Sequence, residues 1–142
     1  MAVMILVAVT GIALAGASQY WSTIVQRERE AELLYRGDQI RKAIASYCAA
    51  NPSGGAPEYP RQVGDLLKDP RYPGLRRHLR QAYTDPMNPG KDWGWIRDGT
   101  GRLKGVFSQS PLIPLKKAGF DRDYREFGKA KTYSDWRFVF NL

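Results

Sequence analysis

The first 26 residues carry no acidic or basic side chain, and the run 1–17, MAVMILVAVTGIALAGA, has Thr10 as its only polar side chain. A helix this apolar all round needs burial all round. The rest of a 142-residue chain is too small to surround it. At 1.5 Å of rise per residue, 17 residues cover about 26 Å, just short of a hydrocarbon core near 30 Å. Tyr20 and Trp21 follow, where aromatic side chains sit at the headgroups. The side chains expected to face lipid or neighbouring helices are Val3, Ile5, Leu6, Val9, Gly11, Leu14, Gly16 and Trp21. Gly11 and Gly16, with Ala13, Ala15 and Ala17, permit close helix approach.

A cleaved signal peptide would also explain the apolar run and the small residues before Ser18, but the basic segment that opens such peptides is missing. The helical pattern also continues through the cleavage point. Ser18 to Arg36 has no Pro or Gly, and Glu32/Arg36 and Asp38/Lys42 are favourable pairs four residues apart. Leu33, Gly37, Ile40, Ile44 and Tyr47 then form a stripe at helical spacing. Gly37 weakens a helix by about 1 kcal/mol without having to end it. One helix from Ala2 to about Ala49 is predicted, greasy in its first half and amphipathic in its second. Arg27 and Arg29 follow the span and no cation precedes it, so charge asymmetry taken alone would leave the rest of the chain in the cytoplasm.

All 22 Lys and Arg and all 14 Asp and Glu lie in 27–142, so the net +8 belongs to that part. Such a charge suits lipid headgroups, nucleic acid or an acidic protein face, and equally a solvated surface. The candidate polyanion patch is Arg76, Arg77, Arg80, Lys116 and Lys117, with Lys129 and Lys131 as further members. Cys48 is the only cysteine and His78 the only histidine, which leaves no internal disulfide, no paired-cysteine motif and no Cys/His zinc set. Cys48 reads as a small hydrophobe under the helix. His78, beside Arg76, Arg77 and Arg80, reads as a surface residue of the basic patch. Phosphate-loop and nucleophile-elbow patterns are absent, and nothing in the sequence marks a serine as partner to His78. No catalytic, metal or cofactor-binding residue is predicted.

The loop 51–57 (NPSGGAP) ends the long helix, and Pro60 opens a short helix with Val63, Leu66 and Leu67 turned inward. Asp69-Pro70 stops it. The stretch 75–83 (LRRHLRQAY) is predicted as one or two helical turns with Leu75 and Leu79 inward. Trp93 and Trp95 alternate along a strand, 98–101 (DGTG) forms a hairpin turn, and Leu103, Gly105 and Phe107 lie on the return strand. A loop passes Pro111, Pro114 and Gly119. Tyr133–Phe140 is predicted as the last strand, with Trp136, Phe138 and Phe140 on one face. The fold class is therefore α+β, a long N-terminal helix packed on a small antiparallel sheet. The aromatic residues are assigned to its core rather than to a base-stacking surface.

The helix 26–47 (QREREAELLYRGDQIRKAIASY), the segment 58–71 (EYPRQVGDLLKDPR), the turn 83–90 (YTDPMNPG), the segment 105–110 (GVFSQS) and the end 133–140 (YSDWRFVF) occur in an order that resembles the type IV pilins and type II secretion pseudopilins, G-type pseudopilins in particular. The resemblance implies a non-enzymatic filament subunit, single-pass in the bacterial inner membrane before assembly, with its head in the periplasm. Residues 1–26 would be the transmembrane and filament-core part, and 27–142 the pilin-like head. Its partners would be other such subunits through the helix, an inner-membrane assembly platform, and lipid. Family members carry a basic leader cut before a methylated phenylalanine, with a glutamate soon after. Here Met1 opens directly into the apolar run, so the expectation is that Met1 is an internal codon or a trimmed end and that a leader would restore the inside charge. The family's calcium loop is not carried over, because Asp121, Asp123, Glu126 and Asp135 are too dispersed. Two other readings stay open: a pilin-like head that captures DNA or another polyanion, and an unrelated single-span exported protein.

Overall fold

A computed structural model describes the backbone of residues 2–142 and the side chains from 20 onward, together with the surroundings of Gly16. Helix α1 runs unbroken over Ala2–Ala49. It is followed by a short helix α2 (Val63–Leu67), strands β1 (Gly94–Arg97) and β2 (Leu103–Phe107), 3-10 segments at Arg122–Lys129 and Tyr133–Asp135, and strand β3 (Arg137–Val139). The three strands form one antiparallel sheet in the order β1-β2-β3. This is the predicted α+β architecture, with the sheet lying on the long helix. Among the described residues no helix is long and apolar enough to cross a membrane. The side chains of 1–17, on which the expected span rests, lie outside them.

The stripe predicted on α1 is the face that meets the head. Leu33, Ile40, Ile44 and Tyr47 are all buried, and so is Cys48. Both four-residue ion pairs form, Arg36 to Glu32 at 2.7 Å and Lys42 to Asp38 at 2.8 Å. Val106 on β2 pairs with Phe138 on β3, so both side chains point to the same face of the sheet. That face lies against α1, where the Phe138 ring occupies the space a side chain at Gly37 would need. A Cβ at 37 would sit 2.4 Å from the ring. Gly37 is thus a close-approach position rather than a weak point. Gly37→Ala gains about 1 kcal/mol of helix preference, but wedging a methyl group into a packed core costs about 1–3 kcal/mol. The melting temperature of the variant is expected to fall; a rise would contradict this packing.

The aromatic residues form the centre of the core. Trp136, Tyr133 and Phe138 are fully buried. Phe127 stacks on Trp136 at 5.5 Å and meets Phe138 edge-on at 5.2 Å, and the indole of Trp136 donates to the Phe127 carbonyl at 3.2 Å. Such ring pairs add about 0.5–1.5 kcal/mol each beyond burial.

Three local expectations are corrected. The short helix begins at Val63, after an extended Gln62, rather than at Pro60. No helix forms over 75–83, because its backbone bonds outward: the amides of His78 and Leu79 both donate to the Leu66 carbonyl, and Asp69 donates to the Arg76 carbonyl. Leu79 is buried as expected, whereas Leu75 is exposed. The last strand is shorter than Tyr133–Phe140, since residues 133–135 take a 3-10 turn first.

Candidate functional site

The long helix leaves the head near residue 22. Tyr20 is 71% and Trp21 67% exposed, and no atom outside the helix lies within 4 Å of a Cβ built at Gly16. Val3, Ile5, Leu6, Val9, Gly11 and Leu14, the other residues assigned to membrane or assembly contacts, have side chains outside the described residues. The head takes hold over the next two turns. Gln26 donates to the Ile113 carbonyl at 3.0 Å and to the Tyr133 hydroxyl at 3.1 Å. Glu30 is 4% exposed and accepts from the amides of Leu115 (2.8 Å) and Lys116 (3.1 Å) and from the Tyr133 hydroxyl (2.7 Å). Tyr133 has its own pKa pushed up to about 12, chiefly by burial. A buried carboxylate therefore pins the 112–117 loop to the base of the helix.

The predicted basic patch divides. Lys116 and Lys117 line a groove of about 440 Å³ with Arg27, Glu30 and Leu34. Arg76, Arg77 and Arg80 are exposed on the loop whose His78 reaches Ser46. Glu30 and Ser46 are sixteen positions apart on α1, about 24 Å along its axis. The two clusters therefore do not form one surface. Arg27, which the patch reading left out, belongs with the lysines. Lys129 and Lys131 are exposed, and Lys129 pairs with Glu126 at 3.1 Å.

His78 is not a surface residue. Its side chain is 1% exposed, and its ring bridges the Ser46 hydroxyl (Nδ1, 2.8 Å) and the fully buried Asp69 carboxylate (Nε2, 2.9 Å). Asp69 can only accept, so Nε2–H donates to it, and in that tautomer the Ser46 hydroxyl donates to Nδ1. The connectivity is that of a Ser-His-Asp relay, which the sequence did not reveal. Ser46 lies inside a continuous helix, where neighbouring amides are bonded within the helix and cannot stabilise an oxyanion. Asp69 is also held bidentately by Arg71 at 2.7 and 2.9 Å. Burial works to raise its pKa, but the hydrogen bonds from Arg71 and His78 overcome this and hold it well below the usual carboxylate range. Arg71 in turn donates to the Tyr47 carbonyl on α1 at 2.8 Å and lies 3.7 Å over the Tyr47 ring. The network is a clasp between α1 and the 69–78 loop.

Cys48 lies beside this clasp as the buried hydrophobe expected. Burial pushes its thiol up to about 11 against a smaller opposing effect of Arg71, so it is un-ionised at neutral pH. The dispersed acids of the tail are partly engaged elsewhere. Asp123 pairs with Arg41 at 2.8 Å, and Asp135 caps the amides of Lys131 and Thr132. Among the described residues no group of three or more His, Cys, Asp or Glu is placed to hold a metal. Comparison with protein-family models, with characterised proteins and with solved structures found no match.

Proposed function

We propose that this chain is a non-enzymatic, pseudopilin-like subunit of a type II secretion or type IV pilus-like filament. It would be held in the bacterial inner membrane by the first half of α1, with its head in the periplasm. The observation that carries the reading is the form of α1. It is one helix over Ala2–Ala49 whose second half is packed along one face only, and whose described positions at Gly16, Tyr20 and Trp21 are uncovered. An apolar helix half needs lipid, or copies of itself, around it. Exchanging one apolar environment for the other lets a subunit leave the bilayer without exposing that surface to water. Other subunits and the inner-membrane assembly platform are the partners this reading requires.

Gly11→Leu or Ala15→Leu tests the proposal. Either is expected to abolish filament assembly, scored by shearing cells and blotting the released fraction, while the head keeps its melting temperature. Assembly that survives both changes would sink the mechanism. The exposed cluster of Arg76, Arg77 and Arg80 favours a second reading, capture of DNA or another polyanion by the end of the head remote from the membrane. Phosphate binding must weaken steeply with salt. A gel-shift titration with the full chain in neutral detergent would show a complex at low salt that disappears at moderate salt. No shift at low salt removes this reading.

A further inference from the structure

The geometry points to a lipid-docking surface at the base of the head: Arg27 and Lys117 receive anionic phospholipid headgroups while Leu112 and Ile113 rest in the interface beside them. This rests on the membrane-anchored reading above and deepens it, since it fixes how the head stands on the bilayer.

Position comes first. The Gln26–Ile113 bond places the loop tip level with residue 26, five positions beyond Trp21. That is about 7.5 Å along the axis, close to the headgroup layer of about 5–7 Å on each side of the hydrocarbon. If Trp21 sits at the inner edge of that layer, Ile113 reaches its outer part. Exposure agrees. Among the described residues seven large apolar side chains are exposed, and four of them (Tyr20, Trp21, Leu112 at 50%, Ile113 at 67%) are at this end. A monomer standing in water gains nothing from placing them together, whereas an interface accepts aromatic and aliphatic groups alike.

Charge supplies the complement. Arg27, Lys116 and Lys117 share one groove, and its carboxylate, Glu30, has both oxygens committed inward to the Leu115 and Lys116 amides and the Tyr133 hydroxyl. The neighbouring acids Glu28 and Glu32 line a different hollow, with Thr84 and Pro86. None of the ion pairs among the described residues uses Arg27 or Lys117, whereas the Lys116 ammonium lies 5.0 Å over the Phe120 ring and faces away from them. Helical side chains lean toward the N-terminus, so Arg27 is directed toward the membrane. Each such cation near an anionic surface multiplies occupancy by about fivefold, less at high salt.

The test uses the full chain with Cys48→Ser, carrying one cysteine-linked fluorophore at a time and reconstituted sparsely into vesicles. The vesicles are phosphatidylcholine, alone or mixed with phosphatidylglycerol, containing lipids spin-labelled at the headgroup or deep in the chain. A fluorophore on Ile113→Cys is expected to be quenched at headgroup depth in the anionic vesicles. One on Ser53→Cys, beyond the far end of α1, is not. Lys117→Gln and Arg27→Gln, both at exposed positions, should each lower that docking about fivefold. Four outcomes would overturn the proposal: quenching at 113 no stronger than at 53; equal quenching in neutral vesicles; quenching that survives both substitutions; or quenching that grows with protein density, which would mean contact between copies. A third probe on Leu14→Cys separates the two levels. If it is quenched from deep in the bilayer while 113 is not, the helix is anchored and docking alone fails. If it escapes quenching, anchoring fails too.

Discussion

Asp69→Ala is expected to destabilise the head by about 3–5 kcal/mol, the range for removing one member of a buried charged pair. The carboxylate is fully buried and carries both of its partners. Without it, Arg71 loses a bidentate acceptor, and the His78 ring, 1% exposed, keeps a proton with no acceptor. Because Arg71 also reaches the Tyr47 carbonyl, the loss spreads to the seam between α1 and the 69–78 loop. Asp69→Asn should cost less, since it keeps the shape and one acceptor. Ser46→Ala removes one neutral hydrogen bond, from an exposed residue to His78 Nδ1, and should cost about 1 kcal/mol, well under Asp69→Ala. Urea unfolding of the full chain in neutral detergent, followed by near-ultraviolet circular dichroism, measures all three; a loss below about 1 kcal/mol for Asp69→Ala would contradict the clasp. The sign of its pH dependence follows from the depressed pKa. The stabilisation is complete above the unfolded carboxylate pKa of about 3.9 and is lost as pH falls below that value toward the folded one. Wild type and Asp69→Ala should therefore converge in stability in strong acid and differ most above about pH 5.

Glu30→Ala is the second large effect, about 3 kcal/mol or more. It strands three donors: the amides of Leu115 and Lys116 and the Tyr133 hydroxyl. Each unpaired buried donor costs about 1–3 kcal/mol, reduced where the loop can open to water. Glu30→Gln should be milder, because the amide oxygen still accepts while its NH2 faces donors. The distinguishing feature is locality. The 112–117 loop should lose protection from hydrogen exchange in Glu30→Ala before the sheet does. Uniform loss across the sheet would mean that Glu30 does not hold the loop in particular.

What the sequence revealed was whatever repeats at short range. The extent of α1, its inward stripe from Leu33 to Tyr47 and the hairpin around the turn at 98–101 follow from periodicity and turn chemistry. Glu30 was missed, although its place three positions before Leu33, in register with the buried stripe, was a signal that could have found it. A carboxylate in that register needs dedicated donors, and the donors come from residues more than eighty positions away. His78 was hidden for a similar reason. Its charged neighbours do face solvent, but the ring turns inward to Asp69 and Ser46, a pairing set by tertiary contact. The segment 75–83 was misread because its amides satisfy the Leu66 carbonyl instead of one another. The 3-10 run Arg122–Lys129, to which no element was assigned, has no long apolar period. It is broken at Tyr124 and held by burial of Tyr124 and Phe127.

The most direct test of the anchored-helix claim is the fate of the full chain in cells. Membranes washed with alkaline carbonate should retain it in the pellet. A protease added to the periplasm, with the inner membrane intact, should remove the head and leave a small helix-bearing fragment. Release of the intact chain into the carbonate supernatant, or protection of the head until the inner membrane is broken, would contradict the proposal.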